Sequence, residues 1–327
     1  MHPDLVIGID SGGTTTRAAL VERSGRVLGF GGAGAGNLRD AGATTLAARI
    51  NEATRAAFDA AGIARGLVGA GFLGIAGCRT EDDRRAVRGG VKPLDLAPPG
   101  SLTIDHDLRT AHAGAFLDEP GMVLIAGTGS CCYGRTSSGD EHRAGGWGSR
   151  LDDGGSATWL GLRAVAAWCR AVDGRGVAST LCDALPEHLG VRSPRDAVAL
   201  LEAPDSRARL SSLAPLVTRA AAEGDAVALA IVERGASELA EMVVAVHDAL
   251  ARDGSDVSHA LSPVGGVFTA GAVVVDALCR ALEARLRSVA VVEPVLPPVL
   301  GAVFLALQSL GPVSEAQRET LRRSRPD

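Results

Sequence analysis

The chain has few aromatic residues, which make up 3% of its 327 positions. So few rings leave little surface on which nucleobases could stack, and this disfavours recognition of single-stranded nucleic acid. The formal net charge is −5, so no basic excess attracts nucleic acid or an anionic membrane. Apolar residues nevertheless make up 46% and charged residues 22% of the chain, a composition typical of folded globular proteins.

Three sequence patterns are also missing. No apolar run approaches the roughly 18 residues that a membrane span needs, and the N-terminal residues lack the pattern of a signal peptide. None of the six cysteines forms a C-x-x-C pair, which disfavours a zinc ribbon or a dithiol redox motif. We therefore expect a cytoplasmic protein with reduced thiols and with neither a membrane nor a nucleic acid as partner.

A pattern of strand, glycine-rich turn and strand occurs twice. Residues 4–10 are apolar and rich in β-branched side chains, as in a buried strand, and a turn separates them from the next extended segment. Residues 122–126 and 131–134 repeat this arrangement around a second turn. The repeat indicates two related α/β halves. Further strands are predicted at 67–77, 101–104 and 262–267, and helices at 44–61, across most of 156–251 and at 299–310.

Both turns have the composition of a phosphate-binding loop. The first runs from Asp10 through Gly12, Gly13, Thr14 and Thr15, and the second comprises Gly127, Thr128, Gly129 and Ser130. Glycines let the backbone approach an anion, successive N–H groups can surround phosphate oxygens, and hydroxyls add donors. An acidic residue beside phosphate is reasonable if Asp10 organises Mg²⁺, directly or through water. Taken alone, each turn is equally explained as a glycine hairpin with solvated hydroxyls. Neither is a Walker A loop, because no lysine lies near them.

Seven segments together resemble a known family. The sequence is similar to the N-acetylglucosamine kinase branch of the BadF/BadG-type ATPases, within the actin, hexokinase and heat-shock-70 superfamily. The resemblance implies an α/β fold with two RNase H-like, actin-like ATPase domains around a nucleotide-binding cleft. Residues 1–117, completed by a C-terminal helix at 299–327, would form the first domain and residues 118–298 the second. The matching segments are Ile9–Thr15, Gly34–Asn37, Asp105–Asp107, Gly127–Ser130, Gly145–Gly148, Asp153–Ser156 with Trp159–Gly161, and Gly265–Val267.

The resemblance also implies a catalytic base. Asp107 follows the predicted strand at 101–104, where the family places the carboxylate that receives the proton of the sugar hydroxyl. Asp105 is a competitor, because in an extended segment it lies on the same face as Asp107. A third interpretation makes one of the two aspartates an N-cap of the following helix.

Carried over residue by residue, the resemblance assigns the remaining ligands. ATP and Mg²⁺ are the implied cofactors, and Asp10 is the implied metal-side residue. Asn37 is alternatively a turn residue that tolerates positive φ, Trp147 an ordinary packing residue, and Asp153 a capping or solvated carboxylate. The phosphate-binding set is Asp10, Gly12, Gly13, Thr14, Thr15, Gly127, Thr128, Gly129, Ser130, Gly265 and Gly266. The sugar-binding set is Asn37, Gly77, Asp107, Gly146, Trp147 and Asp153.

Three positions depart from the family pattern on the sugar side. Gly154 stands where the family usually has glutamate, Ala76 where a serine is often seen, and Cys131 where an asparagine can occur. Each change removes or weakens a polar contact, and a pocket with fewer polar partners discriminates less between analogues. We therefore expect weak activity on N-acetylglucosamine and better activity on another sugar, with glucosamine as a candidate. Backbone groups or water that replace the missing contacts are the alternative.

The function implied is transfer of the ATP γ-phosphate to a hydroxyl, expected to be the 6-hydroxyl, of an amino sugar such as N-acetylglucosamine, glucosamine or a related hexosamine. Two alternatives stay open: an ATPase of the dehydratase-activator type, which would ligate an iron–sulfur cluster through cysteines, and a non-catalytic sugar or nucleotide sensor. The expected partner is a small-molecule sugar. The oligomeric state stays open, with a homodimer as the candidate.

Overall fold

The computed structural model describes residues 1–203, 205–252, 258–286 and 289–324. Its strands are β1 (His2–Ser11), β2 (Thr15–Glu22), β3 (Val27–Gly34), β4 (Val68–Ile75), β5 (Leu102–His106), β6 (Gly121–Ala126), β7 (Ser130–Arg135), β8 (Glu141–Gly145), β9 (Ala260–Val264) and β10 (Ala290–Val291). Its α-helices are α1 (Leu38–Ala61), α2 (Glu81–Val91), α3 (Asp107–Phe116), α4 (Ala157–Val172), α5 (Leu181–Leu189), α6 (Pro194–Glu202), α7 (Ser206–Ser211), α8 (Ala214–Ala222), α9 (Ala226–Ala251), α10 (Ala272–Glu283), α11 (Pro298–Gln308) and α12 (Glu315–Arg323).

Contacts divide the chain into two compact units. Unit 1 comprises Met1–Glu119 and the C-terminal segment that begins at Glu293, and unit 2 comprises Pro120–Val292. The sequence prediction had placed the boundaries at 117/118 and 298/299. Unit 1 is therefore built from both ends of the chain, whereas unit 2 is one continuous segment.

Each unit is organised around a five-stranded mixed sheet. The strand order is β3-β2-β1-β4-β5 in unit 1 and β10-β9-β6-β7-β8 in unit 2. In each sheet the first three strands in sequence pair antiparallel as two hairpins. The two later strands pair in parallel with the free edge of the first strand and then with each other. The two sheets thus share one topology, which confirms the α/β fold class expected from the repeated strand–turn–strand pattern.

The core of unit 1 lies on both faces of its sheet, as the alternation of side chains along β1 requires. Ile7 and Ile9 pack with α1 on one face, whereas Val6 packs with α11 on the other. A Cβ at Gly8 would lie only 2.5 Å from the backbone nitrogen of Val303, so glycine is what lets α11 pack directly onto β1. This contact fixes the C-terminal helix of unit 1 against the strand that carries Asp10.

The predicted single helix at 299–327 is wrong. Within the described residues α11 ends at Gln308, and Gly311 adopts a φ of 141° before α12 begins at Glu315. Pro312 follows this glycine and cannot donate a helical hydrogen bond, so the helix stops here. Residues 325–327, the predicted end of that helix, lie outside the described residues.

Candidate active site

Three parallel strands of unit 1 end at one edge of the sheet. Ser11 of β1 pairs in register with Ile75 of β4, which pairs in register with His106 of β5. The residues next to these strand ends are Asp10, Gly77 and Asp107, three of the predicted site residues. The carboxyl ends of parallel strands are where open α/β sheets bind ligands. The topology therefore gathers these residues, which are far apart in sequence, at one edge of unit 1.

Thr110 connects the two carboxylate-bearing segments of this edge. Its buried hydroxyl lies 3.0 Å from Oδ1 of Asp10 and 2.8 Å from the backbone carbonyl of Asp107. Thr110 lies one turn into α3, and a Cβ at Gly74 would come within 2.2 Å of it. Sequence reasoning missed this residue. The only available signal was its position three residues after Asp107, on the same face of the helix.

The pKa of Asp10 lies well above its ordinary value. Burial and, to a smaller extent, the nearby charge of Asp107 raise the pKa of Asp10 to about 7, against the lowering effects of the Thr110 hydrogen bond and the Arg17 charge. A desolvated carboxylate beside a second carboxylate favours a proton or a cation. Mg²⁺ sites in phosphoryl-transfer proteins often use one or two carboxylates, with phosphate and water completing the coordination. The donor set therefore fits Mg²⁺ at Asp10, although no group of three or more His, Cys, Asp or Glu residues among the described positions could hold a metal alone.

The surroundings of Asp105 differ from those expected of a base. Nη2 of Arg84 lies 2.8 Å from Oδ1 of Asp105, and the backbone N–H of His106 donates to the same oxygen at 2.9 Å. Burial raises the pKa of Asp105, but the hydrogen bond from Arg84 and the charge of His106 outweigh it and leave the pKa below its ordinary value. A carboxylate held ionised by an ion pair is a weak proton acceptor.

Asp107 is the first residue of α3, and His106 occupies the N-cap. Neither aspartate therefore takes the N-cap position of the third interpretation.

Asn37 and Gly77 lie side by side in unit 1. Asn37 is the N-cap of α1, where its Oδ1 accepts a hydrogen bond from the backbone of Arg39 at 2.9 Å. A Cβ at Gly77, which has a φ of 81°, would lie 2.7 Å from that oxygen. Asn37 itself has a φ of −62°, so the interpretation as a positive-φ turn residue is wrong. The structure brings both predicted sugar-side residues together.

The first turn is tight and closed by the backbone. The N–H of Gly12 donates to the carbonyl of Thr15 at 2.9 Å, and a Cβ at Gly12 would meet only this carbonyl, at 3.6 Å. Neither Gly12 nor Gly13 has positive φ, nor do Gly127 and Gly129 in the second turn. None of these glycines is therefore required by a left-handed conformation, and of Gly12, Gly127 and Gly129 only Gly129 would crowd a neighbour with a Cβ, at 2.9 Å from Asp153.

In unit 2, the second turn and the predicted glycine pair meet at two adjacent parallel strands. Ile125 of β6 pairs with Val264 of β9, so Gly127 and Gly265 follow neighbouring strand ends. A Cβ at Gly265 would lie 2.4 Å from the carbonyl of Ala126, so only glycine fits there. A Cβ at Gly127 or at Gly266 would meet no atom within 4 Å. The backbone of both segments therefore borders open space, as an anion-binding nest requires.

Asp153 lies under the second turn. Asp153 is 2% exposed and has a φ of 62°. Nη2 of Arg207 lies 3.4 Å from its carboxylate, which also accepts hydrogen bonds from the backbone N–H groups of Ser130 and Gly148. Burial raises its pKa, whereas Arg207 and the two amides lower it. A Cβ at Gly129 would lie 2.9 Å from Oδ2 of Asp153, so this carboxylate supports the turn from below.

Two further hydroxyls hold the second turn against α4. Oγ1 of Thr158 donates to the carbonyl of Thr128 at 2.6 Å, and Oγ of Ser130 donates to the carbonyl of Gly154 at 2.7 Å. The backbone N–H of Ala157, the first residue of α4, donates to Gly127 at 2.8 Å. Sequence reasoning did not predict Thr158 or Arg207 in this role, because both lie in segments whose helical spacing signals only packing.

Trp147 is 65% exposed and is not an ordinary packing residue. Gly146 and Gly148 flank it with φ values of 71° and 100°, which only glycine adopts readily. The guanidinium carbon of Arg143 lies 5.5 Å from the centre of its ring, within cation–π range. The loop therefore presents an indole face at the surface of unit 2.

Two of the departures from the family pattern have visible structural counterparts. A Cβ at Gly154 would lie 2.7 Å from Cβ of Glu238 and 3.0 Å from its Oε2, so a side chain of α9 fills the space of the missing glutamate. The carboxylate-bearing side chain of Glu238 therefore lies against the position where Gly154 has no side chain. Sγ of Cys131 lies 3.3 Å from the carbonyl of Ala144 in the neighbouring strand.

The whole sequence can be compared with known proteins. The sequence profile of the BadF/BadG/BcrA/BcrD ATPase family matches residues 7–306, nearly the full length. The chain belongs to the BadF/BadG/BcrA/BcrD ATPase family. Within this family, the chain is 27% identical over 302 residues to the N-acetylmuramic acid/N-acetylglucosamine kinase of Clostridium acetobutylicum, covering 92% of this chain and 97% of that protein.

This ATPase-family chain is also similar to a glucosamine kinase of Vibrio cholerae. The two are 26% identical over 247 residues, which cover 74% of this chain and 80% of that protein. A solved structure assigned to the N-acetylglucosamine kinases, from Chromobacterium violaceum, superposes with a TM-score of 0.75 at 27% identity and covers 93% of this chain and 99% of that one. A glucokinase of Streptomyces griseus, solved with glucose and AMPPNP, gives a TM-score of 0.54 at 17% identity. The match covers 94% of this chain and 99% of that one, and it supports the fold alone.

No helix in the described ranges is long and apolar enough to cross a membrane.

Proposed function

We propose that this protein is a kinase that transfers the γ-phosphoryl group of ATP to a hydroxyl, expected to be the 6-hydroxyl, of an amino sugar. The observation that carries the proposal is the Asp10–Thr110–Asp107 arrangement at the strand edge of unit 1, where one hydroxyl lies 3.0 Å from the Asp10 carboxylate and 2.8 Å from the Asp107 backbone. Membership of an ATPase family and the amino-sugar kinases among the relatives support it.

Asp107 acts as the general base. Its carboxylate accepts the proton of the attacking sugar hydroxyl while the hydroxyl oxygen forms a bond to the γ-phosphorus and the bond to the bridging oxygen of ADP breaks. The products are ADP and the sugar phosphate, and Asp107 then releases its proton to water. The ion pair of Asp105 with Arg84 favours Asp107 over Asp105 for this role.

The glycine turns supply donors for phosphate oxygens. We assign this role to the backbone of Gly12, Gly13, Thr14 and Thr15 in unit 1, and of Gly127–Ser130 and Gly265–Gly266 in unit 2. Pre-positioned amides need no reorganisation when charge develops on the transferring group. Mg²⁺, held from Asp10, would neutralise charge on the phosphates when bound.

The sugar contacts are the predicted set of Asn37, Gly77 and Asp107 in unit 1 and Gly146, Trp147 and Asp153 in unit 2. Asp153 already accepts two backbone hydrogen bonds, so a sugar hydroxyl would have to share its remaining acceptor positions. We further propose that the chain folds into the two predicted domains. We also propose a cytoplasmic location, which agrees with cysteines that form no disulfide. A homodimer is the assembly to be tested.

The test is ATP consumption with glucosamine, N-acetylglucosamine, N-acetylmannosamine, N-acetylmuramic acid and glucose. We expect ADP formation to be stimulated by at least one amino sugar and a stoichiometric sugar phosphate to appear. ATP hydrolysis that no sugar stimulates would favour the dehydratase-activator alternative. Sugar binding without turnover would favour the sensor.

A further inference from the structure

A second carboxylate-lined region lies in unit 2, beside the segment that leads into α4. A cavity of about 300 Å³ is bordered by Ser149, Asp152, Gly154, Trp159, Arg163 and Glu238. All of these residues except Glu238 lie within fifteen positions of one another in sequence, and Glu238 reaches the cavity from α9. The cavity thus adjoins Asp153 and Gly154, which the sequence resemblance placed on the sugar side.

Glu238 fills the space that Gly154 leaves. Its Oε2 lies 3.0 Å and its Cβ 2.7 Å from the position of a Cβ built on Gly154. Any side chain at position 154 would therefore have to displace Glu238. The missing side chain at position 154 therefore leaves the room that the Glu238 side chain uses.

The Glu238 carboxylate is more accessible than that of Asp153. The side chain of Glu238 is 36% exposed, whereas that of Asp153 is 3% exposed and accepts bonds from two backbone amides. Oε1 of Glu238 lies 3.8 Å from Nε of Arg234, whose side chain is 66% exposed. A long ion pair in solvent contributes little free energy, so it would yield readily to a ligand.

We propose that Glu238 is a specificity-determining residue whose carboxylate accepts a hydrogen bond from an N–H donor of the amino sugar. This inference rests on the proposed kinase function and names a contact of the same sugar site. The donor is the ammonium of an unacetylated sugar or the amide N–H of an N-acetylated one. Asp152 provides a second carboxylate on the cavity wall, and Arg150 and Arg163 on the same wall limit its net negative charge.

The test measures sugar affinity and ATP affinity separately. Glu238→Ala and Glu238→Gln are compared with wild type by calorimetric titration of glucosamine and N-acetylglucosamine, and the KM for ATP is measured with each sugar. Glu241→Gln is the matched control, because Glu241 lies on the same helix and pairs with Arg285. We expect Glu238→Ala to bind the preferred sugar about 10-fold more weakly or worse, with the KM for ATP unchanged.

The glutamine variant separates the two donors. If the donor is an ammonium, Glu238→Gln loses as much affinity for glucosamine as Glu238→Ala, because the charge is gone. If the donor is an amide N–H, the glutamine oxygen still accepts, and most of the affinity for N-acetylglucosamine remains. Unchanged sugar affinity in both folded variants would overturn the proposal for Glu238 while leaving the kinase function standing.

A swap of positions gives an independent readout. In Gly154→Glu/Glu238→Gly the carboxylate moves to the main-chain segment, and every side-chain atom of position 238 that blocks it, including Cβ at 2.7 Å, is removed. We expect this double variant to recover at least part of the affinity lost in Glu238→Ala. A folded double variant that binds no better than Glu238→Ala would count against a shared role of the two positions. A wild-type protein that binds no amino sugar would overturn both the proposed function and the role of Glu238.

Discussion

The turn between β1 and β2 in unit 1 comes directly after a carboxylate and a serine, Asp10 and Ser11, whereas the turn between β6 and β7 in unit 2 comes after the apolar pair Ile125 and Ala126. The strand order around both turns is the same. In unit 1 acidic side chains gather at the strand edge, and in unit 2 the backbone borders open space with a buried carboxylate beneath it. One topology therefore carries two different arrangements, with clustered carboxylates in unit 1 and backbone that borders open space in unit 2.

The largest effect is expected when the proposed base in unit 1 is removed. We expect Asp107→Asn to keep ATP binding but to lower sugar phosphorylation by about 100-fold or more, because a general base and an aligning contact are lost. Turnover and ATP affinity are measured on the same preparation, with Asp105→Asn alongside it. Near-normal turnover in Asp107→Asn with a dead Asp105→Asn would move the base to Asp105.

The second test addresses the open space in unit 2. A Cβ at Gly127 would meet no atom within 4 Å, so we expect Gly127→Val to fold normally while blocking an anion from the backbone. We expect ATP affinity to fall about 50-fold with little change in Tm. Gly129→Val is the contrasting variant, because its Cβ would meet Asp153 and Arg207 and should cost stability as well. Unchanged nucleotide affinity in folded Gly127→Val would remove the second turn from the phosphate site.

The third test concerns the pH dependence of unit 1. The pKa of Asp10 rises from 3.8 to about 7 on folding, so between these values the folded protein holds a proton that the unfolded chain has released. The free energy of unfolding therefore decreases as pH rises through this window. The pKa difference sets a limit of about 4 kcal/mol. Because the Asp10 residue as a whole is only partly buried, solvent screening lowers the expected effect to about 2 kcal/mol.

Urea unfolding in chelator at a series of pH values measures this effect. Asp10→Asn should be more stable than wild type at pH 8 and equal to it below the ordinary carboxyl pKa. A wild-type stability that does not depend on Asp10 across this window would contradict the raised pKa. Mg²⁺ with ATP should reduce the difference, because a cation replaces the proton.

The smallest effect is expected at Thr110. Thr110→Val keeps the shape of the side chain but removes the hydroxyl that lies 3.0 Å from Asp10 and 2.8 Å from Asp107. We expect kcat to fall about 5-fold with the KM for ATP nearly unchanged, since one hydrogen bond to a charged group is lost. Thr110→Ser, which retains the hydroxyl, is the control and should restore most of the rate. Equal rates in Thr110→Val and wild type would reduce Thr110 to a packing residue.

Much of the sheet could be predicted from local pattern. The apolar, β-branched runs before each turn became β1 and β6, and the glycine turns fell where hairpins require them. The polar strand β8 and the charged helix α2 were not predicted, because they contain few apolar residues. The capping box of Thr80 and Asp83 is the signal that could have located α2.

The site was predictable where its residues form a local motif, and not where it depends on distant packing. Asp10 and Asp107 could be named from their segments, but the Thr110 contact between them depends on β1 lying beside β4 and α3. Likewise, the sequence shows only that position 154 lacks the side chain usual in the family. The packing of α9 is what shows that Glu238 lies against this position.

The contact between Gly8 and α11 also has a consequence for synthesis on the ribosome. Unit 1 cannot close until α11 and α12 emerge, because α11 covers the sheet face that includes Val6 and Phe72, and Gln317 of α12 donates to the carbonyl of Arg23. Unit 2 is continuous in sequence and can fold before α11 is available to pack on the N-terminal strands of unit 1. For that interval the nascent chain exposes an apolar sheet face, a surface that chaperones bind. Premature termination before α11 would leave that face uncovered for good.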